Sequence, residues 1–347
     1  MGISNFPNGI YATPLLGAGR LSDMWNSGNI YFVDGYAGSV SNTGLSPTAA
    51  LALPSEAISA CKGGATIYIR PIGMNYDQSL TTNYQFYTDD IIIPFGKSGI
   101  SLVGAGEPRP LYFGGVALKP STVTGSLIDI RSNSNIIENM HLTLVGGTAD
   151  QADGATTWQT IILMHRDGSN SRCYGNVIRG NRFSHDASHP SFAYGGGAIV
   201  NWTAQNTIIE NNLFENCLGG VQLHSHAGDT IFNYIRGNTF SGNPANRDCD
   251  LVVSINAATC HGNCIYDNIF ADGLPTHAGN YVRFIHFPYV TAGTGIIANN
   301  YFATATVTNG FGEGGGGSQA IVAANMFMAG NYYEGTGTTA PYGLITT

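Results

Sequence analysis

One short phrase recurs seven times between residues 136 and 327, and it restricts the folds open to this chain more than any other feature. Its clearest copies are Asn176-Val-Ile178-Arg-Gly-Asn181-Arg-Phe183, Ile209-Glu-Asn-Asn212-Leu-Phe214, Asn233-Tyr-Ile235-Arg-Gly-Asn238-Thr-Phe240 and Asn263-Cys-Ile265-Tyr-Asp-Asn268-Ile-Phe270. Ile297-Ala-Asn-Asn300-Tyr-Phe302 and Val322-Ala-Ala-Asn325-Met-Phe327 follow, and Ile136-Ile-Glu-Asn139-Met-His141 is an imperfect earlier copy. The asparagines at 139, 181, 212, 238, 268, 300 and 325 lie 25 to 42 residues apart. An approximate period with elastic connections marks a solenoid, in which each unit touches only its neighbours.

The content of each unit selects the kind of solenoid. Its apolar stretches are short, β-branched and bounded by Gly and Asn, with no 3.6-residue period, so the units are strands. A second apolar strand separates the copies, as in Leu127-Ile-Asp-Ile130, Ile161-Ile-Leu-Met164 and Val221-Gln-Leu223. Turns stacked about 4.8 Å apart satisfy every backbone group from above and below. The expected fold is therefore all-β, a parallel β-helix. Asn139, Asn181, Asn212, Asn238, Asn268, Asn300 and Asn325 are expected to form a ladder at one bend, because an amide carries both donor and acceptor and can bond its counterpart on the next turn. Phe183, Phe214, Phe240, Phe270, Phe302 and Phe327 are expected to stack inward behind it. Arg179, Glu210 and Arg236 precede successive ladder asparagines by two residues, predicting an exposed stripe of alternating charge that fixes register.

Upstream, Tyr31-Phe-Val-Asp34 and Thr66-Ile-Tyr-Ile69 read as strands, and the Ala-rich segment at 49–61 as a short helix that covers the open end of the coil. The chain divides into an extended anchor at 1–27, a cap with the first turns at 28–125, and a repeat-bearing body at 126–347. Tyr31-Phe-Val-Asp34, Gly44-Leu-Ser-Pro47, Thr66-Ile-Tyr-Ile69 and Gly99-Ile-Ser-Leu-Val-Gly104-Ala-Gly together resemble the opening of right-handed β-helix proteins of the pectate-lyase-like superfamily. That resemblance extends over nearly the whole chain and implies a right-handed coil. Asn5-Phe6-Pro7-Asn8-Gly9-Ile10, followed by Leu16-Gly-Ala-Gly19, is similar to the start of tailed-bacteriophage virion proteins. This second resemblance covers some 20 residues. It implies a capsid decoration or fibre protein, assembled in host cytoplasm, with Asn5, Phe6, Pro7, Asn8 and Gly9 attaching it to a capsid or other virion protein. It further implies a homotrimer and contact with a cell-surface glycan. The alternative is a tailspike-type polysaccharide depolymerase, a lyase or glycoside hydrolase acting on the flank of the coil.

Catalysis on polysaccharide needs paired carboxylates, or a carboxylate-bound cation with a base, on neighbouring turns. Counting outward positions along the second strand gives Asp129 and Arg131, Met164 and Arg166, Asn201, Gln222, His224 and His226, Ser254 and Asn256, then Arg283. One carboxylate stands in that column. The local pairs Asp248/Asp250 and Asp150/Asp153 read as solvated loops, and His224-Ser-His226 lacks a third metal ligand. No catalytic residue, metal or cofactor is therefore expected, and no Gly-x-x-x-x-Gly-Lys loop is present for nucleotide binding. Trp202, Trp158 and Tyr194 are candidates for an aromatic sugar platform, with loop packing as the alternative. Gly310-Phe-Gly-Glu-Gly-Gly-Gly-Gly-Ser318 reads as a flexible loop between two units.

Charge closes off further classes. Only 10% of residues are charged and the net charge is −8, with three lysines, which argues against a grip on nucleic acid or anionic membrane. No apolar run of 18 residues exists to span a bilayer as a helix, and the first residues lack the pattern of a secretion signal. The six cysteines show no metal-binding spacing and read as reduced core thiols, with a Cys260–Cys264 or Cys249–Cys260 disulfide left open. A surface with so little charge and 18 tyrosines is expected to hide area between chains.

Overall fold

The computed structural model describes residues 29–72, 86–105, 115–121, 125–144, 160–165, 173–185, 197–215, 217, 219–223, 231–241, 249–253, 261–271, 283–287, 295–302, 311–313, 326–334 and 342–345. Residues 1–27, the expected anchor with Asn5 to Gly9, lie outside them. The chain winds as a parallel β-helix with three long sheets along its sides. One complete turn illustrates the rest. Ile136–Glu138 runs in the first sheet, Met140–Leu144 in the second and Thr160–Met164 in the third, after which Val177–Arg179 returns to the first sheet beside Ile136–Glu138. Among the described residues the first sheet has ten strands, from Ile30–Asp34 to Met326–Ala329, the second ten and the third eight. A two-stranded sheet, Cys173–Tyr174 with Ala204–Gln205, adds a fourth side to two turns.

Alternation along each strand sends every second side chain inward. In the first sheet the inward column runs Ile67, Leu102, Ile137, Ile178, Ile209, Ile235, Ile265, Ile297 and Met328, in register from turn to turn and all buried. In the second sheet Leu142 leads into Phe183, Phe214, Phe240, Phe270 and Phe302. Those five rings are fully or almost fully buried, with centroids 4.6–4.9 Å apart and planes within 10° of parallel. Each such side chain contributes about 1.5–3 kcal/mol by leaving water. The repetition of one residue type at one height is what sets the register.

The bend between first and second sheets carries the asparagine ladder. Asn181, Asn212, Asn238, Asn268 and Asn300 donate in turn, Nδ2 to the next Oδ1, at 3.0–3.3 Å, the last of them to Asn331. Each Oδ1 also accepts the backbone N–H of the preceding ladder asparagine at 2.9–3.1 Å. The remaining amide hydrogen reaches an isoleucine carbonyl one turn back, as from Asn212 to Ile178 at 2.9 Å. The expected ladder differs from this one at both ends. Asn139 stands one residue earlier, in the slot that holds Gly180, Asn211, Gly237, Asp267, Asn299 and Gly330, all at φ between 54° and 66°. That left-handed slot selects Gly, Asn and Asp, so an asparagine there imitates a ladder member. Asn139 Nδ2 instead donates to Gly104 O, and Met140 takes the ladder position, its N–H bonding Asn181 Oδ1.

At the other end Phe327 is not in the aromatic stack. It pairs in register with Ile296 on the outer face and is 65% exposed, while Met328 points inward. Asn325 lies outside the described residues, and the strand Met326–Ala329 follows it directly, so the bend comes later, at Gly330 and Asn331.

A second ladder at the entry to the first sheet was not expected. Asn135 donates to Asn176 Oδ1 at 3.0 Å and Asn233 to Asn263 Oδ1 at 2.9 Å. Between them stands Thr207, whose buried Oγ1 has no hydrogen-bond partner, and Asn201 Nδ2 reaches across to Asn233 Oδ1 at 3.2 Å.

The charged stripe begins one turn earlier than expected and is not exposed throughout. Glu138 accepts from Arg179 at 2.8 Å and Glu210 from Arg236 at 2.6 Å, while Arg236 Nη1 also reaches the Tyr266 hydroxyl. Arg179 and Glu210 are buried. Pairs this enclosed are costly to break, because the surviving partner is left as an uncompensated charge.

The N-terminal end is covered by a shorter helix than the Ala-rich segment suggested. Pro47–Ala49 forms one 3₁₀ turn, residues 50–53 are extended or bent with Leu51 in the core, and the α-helix is Pro54–Ala60. Proline at its first turn and Glu56 Oε2, accepting from Ala52 and Leu53 N–H, start it. Lys97 Nζ donates to the Ile58 and Ser59 carbonyls near its end, and Ala57 and Ile58 face the core. At the far end, Tyr342–Ile345 pairs antiparallel with Asn331–Glu334. Phe311–Glu313, from the glycine-rich segment, is a strand of the third sheet and so part of the coil. Cys61, Cys173, Cys217 and Cys264 are thiols, which removes the Cys260–Cys264 bridge.

Candidate functional site

On three successive turns the first residue past the third-sheet strand is Arg131, His165 and Trp202. Their alignment follows from the register Ile130–Met164–Asn201 and from the bonds His165 N–H to Ile130 O and Trp202 N–H to Met164 O. Asp129, outward two residues before Arg131, lies under this column. Its Oδ2 accepts from Arg131 Nε at 2.9 Å and Nη2 at 2.6 Å, and His165 Nε2 stands 2.8 Å from Oδ1. The His165 and Trp202 rings are 6.3 Å apart and tilted by 42°.

Burial alone pushes the Asp129 carboxyl upward, but the hydrogen bonds from His165 and Arg131 outweigh it and hold the group below the ordinary carboxylate range. Asp129 is thus an anion, with Oδ2 held by Arg131 and Oδ1 2.8 Å from His165 Nε2. It orients the imidazole and the guanidinium and is poorly placed to act as nucleophile or proton donor. The assembly presents a cation, an imidazole and an indole in a row about 10 Å long, at the spacing of the turns. Aromatic face beside fixed polar donors is the chemistry that holds a sugar ring.

Alternation corrects the outward column read from the sequence. The outer positions of the third sheet are Ile92, Asp129, Leu163, Val200 and Gln222. Met164 and Asn201 are inward and fully buried, because they share the register of Ile130, and Asn201 belongs to the second ladder. His165, one step further, was missed for the same reason of parity. Trp202 takes part in the site; Trp158 and Tyr194 lie outside the described residues, as do Arg166, His224, His226, Ser254, Asn256, Asp150, Asp153 and Asp248. Asp250 and Arg283 lie in the strands Cys249–Val253 and Arg283–Phe287.

A second imidazole lies on the outer face of the second sheet. His141 Nε2 is 2.8 Å from Ser184 Oγ, and a serine–histidine pair invites comparison with an activated nucleophile. The surrounding bonds point the other way. Thr143 Oγ1 donates to the Ser184 carbonyl at 2.9 Å, so it accepts the Ser184 hydroxyl proton at 3.2 Å, and His141 must donate to Ser184 Oγ. Burial first, and then the charge of Arg182, push the imidazole down to about 4. His141 is a neutral donor inside a packed network and a poor base.

Among the described residues no three His, Cys, Asp or Glu side chains come together to hold a metal ion. The acids Glu138, Glu210 and Glu215 on the flank are each bound to an arginine, Glu215 by Arg182 at 2.5 Å.

No family model matches the chain, and no curated protein matches it. Among solved structures it is similar to the complex of XylC with xylose, at 10% identity and a TM-score of 0.48, covering 88% of this chain and 68% of that one. It is also similar to the tailspike protein gp49 of Acinetobacter baumannii bacteriophage Fri1, a capsular polysaccharide depolymerase, at 11% identity and a TM-score of 0.32, covering 82% of this chain and 56% of that one. A third is the lacto-N-biosidase of Eubacterium ramulus, at 11% identity and a TM-score of 0.28, covering 89% of this chain and 67% of that one.

Proposed function

We propose that this protein is a rigid structural rod of a virion, a capsid decoration or fibre, that binds a surface glycan on its flank without cleaving it. The observation that carries the glycan reading is the column Arg131–His165–Trp202 over the ionised Asp129. The reading without cleavage rests on Asp129, Glu138, Glu210 and Glu215, each held by a cation on the flank, since hydrolysis needs one carboxyl able to give a proton and another able to attack or activate water. Placement in a virion rests on the resemblance of residues 5–19, and the rod supplies what a projection needs, stiffness from two ladders and an aromatic stack.

The test is tryptophan fluorescence and calorimetric titration with oligosaccharides prepared from bacterial surface polysaccharides. Binding is expected for the full chain and lost in Trp202→Ala with an unchanged circular dichroism spectrum, and no new reducing ends or unsaturated uronates should accumulate. Binding untouched by Trp202→Ala refutes the site, and product formation replaces the rod reading with the depolymerase. For placement, the protein should be found in purified virions and deletion of residues 1–27 should abolish its incorporation; incorporation of the deleted form refutes the anchor.

A further inference from the structure

We infer that the outer face of the last four turns is the surface on which a second copy of this chain packs. Along the first sheet, Tyr234, Cys264, Ile296 and Phe327 occupy one outward column in consecutive register. Around the bend, Ile269, Tyr301 and Tyr332 form a parallel column on the second sheet. Six of these seven are large apolar or aromatic side chains 37–65% exposed. The neighbouring outward column of the first sheet carries Glu138, Arg179, Glu210 and Arg236 on earlier turns, then changes to Tyr266, Ala298 and Ala329. The charges stop on the turn where the exposed apolar columns begin.

Three properties of this face identify its occupant. With about 200 Å² for a fully exposed large side chain, the six expose on the order of 550 Å², at the upper limit for a lone monomer and most of the roughly 800 Å² that each partner of a stable complex buries. None of these columns carries a charge beyond Arg236, and in the bend between them Asp267 is exposed, so a strongly charged partner finds little opposite charge along the columns. The side chains repeat at the strand spacing of about 4.8 Å, and a partner that meshes along the whole face needs the same pitch. A second coil of this chain has that pitch and the same predominantly apolar columns. The inference is independent of the glycan site, which lies on the third sheet.

Sedimentation equilibrium of the full chain at micromolar concentration tests it. The expected mass is a multiple of 36.6 kDa, falling to the single-chain mass in Phe327→Lys and in Ile296→Lys, both exposed positions where lysine is accommodated without disturbing the core. Phe95→Lys, at an exposed apolar position far from this face, should leave the mass unchanged. A wild-type chain that sediments as a monomer overturns the inference and assigns the face to a different partner. An oligomer that survives both lysine variants, or is broken by Phe95→Lys, overturns it as well.

Discussion

Asn211 and Asn212 are adjacent, identical in chemistry and opposite in role, so the pair gives the sharpest test of the ladder. Asn212 is buried; its Oδ1 accepts from Asn181 N–H at 2.9 Å and Asn181 Nδ2 at 3.3 Å, and its Nδ2 donates to Ile178 O at 2.9 Å and Asn238 Oδ1 at 3.0 Å. Replacing it with alanine strips the Asn181 N–H and the Ile178 carbonyl of these partners inside the coil, at about 1–3 kcal/mol each, and deletes two further bonds of about 1 kcal/mol. Asn181 Nδ2 retains Ile137 O, and Asn238 Oδ1 retains the N–H of residue 212, which limits the total to about 3–5 kcal/mol. Asn211 is exposed and sits at φ 55°, where glycine is at home. Asn211→Gly should therefore cost under about 1 kcal/mol. With about 2.1 cal/mol/K of unfolding entropy per residue over 347 residues, 1 kcal/mol shifts the melting temperature by about 1.4 °C. Thermal melts followed by circular dichroism should show a fall of about 4–7 °C for Asn212→Ala and about 1 °C or less for Asn211→Gly. Equal losses in the two variants, or a loss below about 1 °C for Asn212→Ala, would refute the ladder as a source of stability.

Phe240→Ala opens a void between rings 4.6 and 4.9 Å away and should cost about 3–5 kcal/mol, read as a lower denaturation midpoint, whereas Phe95→Ala, at an exposed position, should cost about 0.5 kcal/mol or less. Asn201→Ala removes the acceptor of Ala204 N–H and one donor to Asn233 Oδ1, and should lower stability by about 2–3 kcal/mol in the same assay. His141 is neutral in the fold at about 4 against 6.5 when unfolded, so the unfolded chain binds the extra proton and stability is lost as pH falls from 6.5 toward 4. The loss is up to about 3 kcal/mol. Melts across that window should show it, and His141→Gln should flatten the slope; an unchanged slope would show that another group titrates there.

Much of the coil was readable from the residues because one asparagine and one phenylalanine recur at a fixed offset, and only stacking explains a fixed offset with variable spacing between copies. The errors came from positions that share a preference. Asn139 fills the left-handed slot that accepts Gly, Asn or Asp, so its identity could not separate slot from ladder; the aliphatic Leu142 in place of Phe was the available signal. Met328-Ala-Gly330-Asn331-Tyr-Tyr333 is the true last copy, written with Met and Tyr where the others have Ile and Phe. The second ladder was legible too, since Asn176, Asn233 and Asn263 each precede a member of the first by five residues. The site on the flank was half visible. Asp129 and Arg131 stand together in the outward column and Trp202 in a separate aromatic group, but counting that column one residue out of phase puts Met164 outward and passes over His165, and only the stacking of turns brings residues 131, 165 and 202 side by side.

The antiparallel strand Tyr342–Ile345 has a consequence for the growth of such a filament. A coil whose rungs bond only the rung above and below has no natural length, and its bare terminal rung invites another molecule to continue the winding. Reversing the direction of the final strand presents an incoming chain with a hydrogen-bonding pattern unlike that of every preceding rung of the second sheet. Among the described residues, a strand arriving on that side meets an antiparallel edge in place of the parallel one that the other rungs of the second sheet offer.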